Sequence, residues 1–176
     1  MKARIATTWL DGCSGCHMSV VDMDEKLIDL VGMIDLVYSP LVDTKEFPED
    51  VDVTLVEGAV NNTDEVEKIR HIRERTKILV SLGDCAVTCN VPSMRNAYKR
   101  DVVLQRAYVE NATHDQQIPS QNVPPLLARA HAIHEIVKVD VFVPGCPPPT
   151  AAIVFALTEL LEGRLPEVSA ATRFGR

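Results

Sequence analysis

No apolar run in these 176 residues approaches the ~18 that a membrane-spanning helix requires, which excludes a helical membrane protein. Positive charge is in deficit: 18 Lys and Arg stand against 25 Asp and Glu, a net charge of −7. That balance argues against a surface for nucleic acid or anionic lipid. The opening residues Met1-Lys2-Ala3-Arg4-Ile5 carry neither a signal-peptide apolar region nor a twin-arginine pair, so a cytoplasmic, reducing setting is expected. No Gly-x-Gly-x-x-Gly occurs, so the chain is not expected to bind NAD itself. Internal repeats and low-complexity segments are also missing, and the length suits one domain over residues 1–176.

What the chain does have is five cysteines. In a reducing compartment these are better read as ligands or catalytic groups than as structural disulfides. Cys13 and Cys16 lie in Cys13-Ser14-Gly15-Cys16, Cys85 in Gly83-Asp84-Cys85-Ala86, and Cys146 in Pro144-Gly145-Cys146-Pro147-Pro148-Pro149. Each locus follows a run that reads as a β-strand. In an open α/β sheet, ligands gather beyond the carboxyl ends of the strands, so these four thiols can converge on one point.

The chain in order supports such a sheet. Arg4 to Leu10 reads as a first strand, and Gly12 and Gly15 allow a tight turn with amides facing a ligand. A helix with Val20, Met23, Leu27 and Leu30 on one stripe should follow and stop at Gly32. Ile34 to Tyr38 and Val51 to Val60 read as the second and third strands, with Leu41 to Asp50 too short and mixed for a crossover helix. A helix capped by Asn62 or Thr63 follows, acidic early and basic late, with Val66, Ile69 and Ile72 buried. Lys77 to Leu82 is the fourth strand, and a short helix is expected from Ser93. Periodicity then fades from about Lys99 to Val123, and a structureless stretch of that length is usually functional or docked on a partner. Pro124 and Pro125 are expected to open a helix burying Leu126, Leu127, Ala130, Ile133 and Val137. Val139 to Val143 is the fifth strand, and Thr150 should cap an apolar helix ending at Gly163. The tail to Arg176 carries no clear pattern. Apolar strands alternating with helices indicate a flavodoxin-like, doubly wound parallel sheet of about five strands with helices on both faces.

Several chemistries fit the thiols. Each cysteine taken singly can be a small buried hydrophobe. Cys-x-x-Cys opening a helix, with Trp9 nearby, also suits a thiol–disulfide oxidoreductase, but leaves Cys85 and Cys146 without a role. Structural zinc usually brings two close cysteine pairs, whereas here 68 and 60 residues separate Cys16, Cys85 and Cys146. An iron–sulfur cluster employs all four, with the helix starts after Cys16 and Cys146 turned toward its negative charge. Cys89 is then a non-ligand. Trp9 is expected in the core near the site, His17 at the surface or as a cap, His71 on a polar helix face, and His114 in the irregular segment. Glu57, at a strand end, faces either the crevice or solvent.

Cys13-x-x-Cys16 after Trp9-Leu10, Val56-Glu57-Gly58-Ala59, Gly83-Asp84-Cys85-Ala86 and Pro144-Gly145-Cys146-Pro147-Pro148 together resemble the small subunit of nickel–iron hydrogenases. The likeness is closest to the soluble, bidirectional NAD-reducing group, whose small subunit is a short flavodoxin-like domain without the extension that carries further clusters. The resemblance implies that Cys13, Cys16, Cys85 and Cys146 hold one proximal 4Fe–4S cluster, with Glu57 near it or near a subunit interface. It also implies an electron relay rather than a catalyst, with no catalytic residue of its own. Hydrogen would be split at a nickel–iron centre in a separate large subunit. A diaphorase module holding iron–sulfur clusters, FMN and NAD would take the electrons. The small subunit of NADH:quinone oxidoreductase is similar too, but typically has adjacent cysteines at the first motif.

Overall fold

The computed structural model describes residues 2–172, so Met1 and the last four residues of the tail lie outside it. The elements in chain order are β1 (Ala3–Trp9), α1 (Gly15–Val21), α2 (Glu25–Val31), β2 (Ile34–Tyr38), β3 (Val51–Glu57), β4 (Val60–Asn62), α3 (Thr63–Arg75), β5 (Thr76–Leu82), α4 (Asp84–Thr88), α5 (Arg100–Gln105), β6 (Leu126–His131), β7 (Val141–Val143) and α6 (Thr150–Leu161). Five of the strands form one parallel sheet in the order β2-β1-β3-β5-β7. This is the doubly wound order, with its reversal between β1 and β3, and it bears out the expected fold class.

Alternation along the strands feeds two cores. Ile5, Val53, Leu55, Val80 and Leu82 point to one face and pack with Met23, Leu30, Ile153, Ala156 and Leu157 from α6 and the stretch around α2. Val56 and Leu79 point to the other face and pack with Ile69 and Ile72 of α3 and with Ile133. Both faces are covered, which is why these strands read as near-continuous apolar runs.

Departures from the sequence reading cluster at element ends. The long helix after the first cysteines is two short ones, broken around Asp24, whose φ is 49°. Its apolar stripe survives, because Met23 and Leu30 are buried and Val20 and Leu27 pack beside them. The third strand stops at Glu57, and Val60–Asn62 pairs elsewhere. No helix forms between β2 and β3, as the mixed composition there implied. Short 3₁₀ geometry spans Val91–Ala97, where a helix from Ser93 was expected. The segment from Lys99 is not structureless throughout: α5 runs on into a π-helical turn at Arg106–Glu110, and only residues 111–125 lack regular structure.

The helix expected after Pro125 is wrong. Leu126–His131 is a strand, antiparallel to β4, in a separate two-stranded sheet. Its backbone groups find partners that a helix would forgo. Arg95 donates to the carbonyls of Leu127 (3.1 Å) and Ala128 (3.3 Å), and Arg100 to that of Leu126 (3.1 Å). The Asn96 side-chain amide exchanges a pair of bonds with Ala130 at 2.8 and 2.9 Å. Pairing with distant residues outweighs the local helical spacing.

A candidate polythiolate site

The turn after β1 carries Cys13 and leads into α1, whose second residue is Cys16. The turn after β5 carries Cys85 at the start of α4, and the turn after β7 carries Cys146. All three turns meet at the carboxyl end of the sheet. There Cys13, Cys16, Cys85 and Cys146 line one recess of about 110 Å³ together with Gly12, Glu57, Gly58, Asp84 and Gly145. Cys13 and Cys146 are exposed, while Cys16 and Cys85 are half-buried.

Local geometry shapes this recess. Ser14, not a glycine, takes the left-handed conformation (φ 63°) that turns the chain between the first two cysteines. Gly83 has φ 84° and ψ 159°, and a side chain there would collide with Cys16 Sγ. Asp84 ties two of the turns together: its amide donates to Gly145 O (2.8 Å), and its carboxylate accepts from Gly145 N (2.7 Å). The peptide bond between Cys146 and Pro147 is cis, and Thr172 Oγ1 donates to Pro144 O (2.6 Å) behind the same turn.

The electrostatics are those of crowded thiols. Burial pushes the Cys16 thiol well up, helped by the Glu57 carboxylate nearby and by Cys85 and Cys13. Burial also raises Cys85, against an opposing hydrogen bond from the Val91 amide, with Cys146 and Cys13 adding to the rise. These groups resist becoming bare thiolates together, and a cationic iron core would remove that resistance. Among the described residues no group of three or more His, Cys, Asp or Glu side chains is set to hold a single metal ion. A cluster with iron at several corners asks for sulfurs spread more widely than one ion does, and the donor set is all thiol. Four thiols lining one recess fit an iron–sulfur cluster.

Other expectations fare differently. Cys89 is buried with Ala59, Ala130 and Ala132, and burial, then Glu135, lifts its thiol to about 11. Trp9 is not core: it is 41% exposed and sets its ring edge-on to His17 at 5.4 Å. His17 is neither surface nor cap, being 4% exposed behind Glu57. Glu57 is likewise buried rather than solvated, at 2% exposure. His71 stays on the exposed face of α3 beside Arg75, and His114 is exposed. Sequence reasoning missed Gly83 and Asp84 as builders of the site, although Gly-Asp directly before a ligand-type cysteine was the available signal. Nothing local marked His17 for burial.

A doubly wound sheet with thiols from three strand ends lining one recess defines a flavodoxin-like domain with a polythiolate site. The chain belongs to the family described as the NADH ubiquinone oxidoreductase 20 Kd subunit, which it matches over residues 13–160. It is 40% identical over 168 residues to the delta subunit of the NAD-reducing hydrogenase HoxS of Cupriavidus necator, covering 93% of this chain and 80% of that one. It is 37% identical over 170 residues to a subunit of the F420-non-reducing hydrogenase of Methanocaldococcus jannaschii, where the match covers 96% of this chain but only 59% of the relative's length. A chain in the crystal structure of an NAD+-reducing NiFe hydrogenase in the H2-reduced state superposes with a TM-score of 0.93 and 39% identity over 99% of both chains. The resemblance to hydrogenase small subunits is thereby upheld.

Proposed function

We propose that this chain is the electron-relay small subunit of an NAD-reducing nickel–iron hydrogenase, with Cys13, Cys16, Cys85 and Cys146 holding one proximal 4Fe–4S cluster. The observation that carries this is the convergence of the four thiols on one recess. The likeness to an NAD+-reducing NiFe hydrogenase over 99% of the chain supports the choice of complex. When bound, such a cluster takes up and gives out single electrons. The chain's own share is to hold it at a domain edge, with two ligands half-buried and two exposed, where a neighbouring subunit can approach. The partners are a large subunit with the nickel–iron centre and diaphorase subunits with iron–sulfur clusters, FMN and NAD. The setting is cytoplasmic and the chain a single domain; among the described residues no helix is long and apolar enough to cross a membrane.

The family description keeps the small subunit of an NADH:quinone oxidoreductase-like complex as the second reading. The thiol–disulfide reading leaves Cys85 and Cys146, which line the same recess as Cys13 and Cys16, without a role. The test is iron and acid-labile sulfide content with a low-temperature EPR spectrum of the reduced protein. Cys13→Ser, Cys16→Ser, Cys85→Ser or Cys146→Ser should abolish or convert the signal, and Cys89→Ser should leave it intact. Loss of the cluster on replacing Cys89, with Cys85→Ser tolerated, would overturn the ligand assignment. Hydrogen uptake coupled to NAD+ reduction by the complex separates the first reading from quinone reduction by NADH.

A further inference from the structure

Helix α1 carries Cys16 and packs Val20 against the core, but it lacks a cap of its own. It is seven residues long, and its N-cap Ser14 makes no side-chain capping hydrogen bond. Helices this short are marginal alone, and their first amides need acceptors from elsewhere. Glu57, at the end of β3, supplies one: its Oε2 accepts from the His17 amide at 3.0 Å. The same carboxylate stands near the Cys16 thiol and helps push it up. A carboxylate buried this deeply needs fixed partners of its own.

The His17 ring is placed to provide one. Its Nδ1 stands 3.1 Å from Glu57 Oε1, off the line of a good hydrogen bond, and neither atom has another partner. Its Nε2 lies 3.0 Å from Thr7 Oγ1. Thr7 Oγ1 in turn donates to Ser39 Oγ at 2.8 Å, and Ser39 Oγ accepts from the Leu41 amide at 3.2 Å. All four side chains, Ser39, Thr7, His17 and Glu57, are buried. This relay of contacts crosses the carboxyl edge of the sheet from the end of β2, over β1, to the end of β3, and finishes at the His17 amide, next in the chain to Cys16.

We propose that His17 and Glu57 are positioning residues for Cys16: Glu57 caps α1 from a neighbouring strand, and His17, anchored on Thr7, braces Glu57. This rests on the cluster reading above and deepens it. Partners one step behind a metal ligand orient it, and their loss typically weakens metal retention by about 10–100-fold. His17 touches no ligand thiol by a side-chain bond, so its effect should pass through Glu57 alone.

The test uses the assembled complex, with two readouts besides turnover: the rate of iron release to a chelator in excess of the wild-type complex, and the g-values of the EPR signal that Cys16→Ser removes. Glu57→Ala and His17→Phe should each speed release about tenfold or more and shift the g-values. The double variant should be no worse than Glu57→Ala, because His17 acts through Glu57. His17→Gln, which can still donate to Glu57, should recover part of the loss. Wild-type behaviour of His17→Phe, or full additivity with Glu57→Ala, would overturn the inference. Should His17→Phe fail to assemble, Thr7→Val decides. It removes the ring's anchor and the bond to Ser39, and Ser39→Ala, which removes the second alone, is the control. Faster release in Thr7→Val but not in Ser39→Ala supports the brace, and unchanged release and g-values in Thr7→Val overturn it. A wild-type complex whose reduced EPR spectrum holds no signal that Cys16→Ser removes would instead overturn the cluster reading itself.

Discussion

Gly83 occupies φ 84° and ψ 159°, a region open essentially to glycine alone. Two effects therefore act together at this residue. A side chain costs about 1–3 kcal/mol in backbone strain, and its Cβ also collides with Cys16 Sγ. Gly83→Ala is expected to displace the Cys16 sulfur and cut iron and acid-labile sulfide per chain by more than half, on the order of the losses seen when metal-supporting residues are removed. The urea midpoint should fall as well. Full iron content with an unchanged EPR spectrum would show that the recess can yield. Asp84, next in sequence, works differently: it pins the Cys85 turn to the Cys146 turn, so these two of the four proposed ligands move as one unit.

At the scale of elements, the helices differ in how they are held. α3 caps itself. Asn62 Oδ1 accepts from the Glu65 amide at 3.0 Å, and Glu65 Oε2 accepts from the Asn62 amide at 3.2 Å and the Asn61 amide at 2.6 Å. Asn62→Ala should cost about 1 kcal/mol, read as a lower urea midpoint, with the cluster spectrum unaltered. The parallel strands carry a pH-sensitive tie. Lys77 Nζ donates to Asp52 Oδ1 at 2.7 Å and the Arg4 amide to Asp52 Oδ2 at 2.8 Å, linking β1, β3 and β5. The Lys77 bond, then the Arg4 amide, holds the Asp52 carboxyl below its ordinary value of 3.8. A depressed folded value means that this contribution is complete above the unfolded value and is lost as pH falls through the folded one. The stability gap between the wild type and Asp52→Asn should therefore be present at neutral pH and close below about pH 4. The pair is largely exposed, so the gap is small. A gap that widened on acidification would contradict the sign.

For the molecule as a whole, the surface carries many large apolar side chains. Val91, Met94, Tyr98, Val102, Ile118 and Val123 are exposed along the segment between α4 and β6. Trp9 and Met18 are exposed beside the first two cysteines. A cluster held at the edge of a small domain needs a shield from water, and a contact of ~2,000 Å² or more, typical of an obligate interface, would supply it. Hydrogen exchange should slow in the crevice turns and in residues 99–123 when the chain enters its complex. The cluster of the isolated chain should also decay in air faster than that of the complex. Equal protection free and assembled would mark a self-sufficient domain instead.

Sequence by itself determined the doubly wound sheet, because a 3.6-residue helix period and buried apolar strand runs are properties of short windows. It also singled out the four cysteines, because glycine and proline beside a thiol signal a turn wherever the chain goes. Three features were decided only by the tertiary structure. Leu126–His131 has helical spacing, yet β4 and the side chains of Arg95, Asn96 and Arg100 satisfy its backbone as a strand. The stripe after Cys16 reads as one helix, but Asp24 breaks it while the stripe still reaches the core. His17 looks like a surface histidine, and it is buried because Thr7 and Glu57, from two neighbouring strands, both offer oxygen atoms to its ring. In each case the deciding partners lie far away in the chain, where no local window can register them.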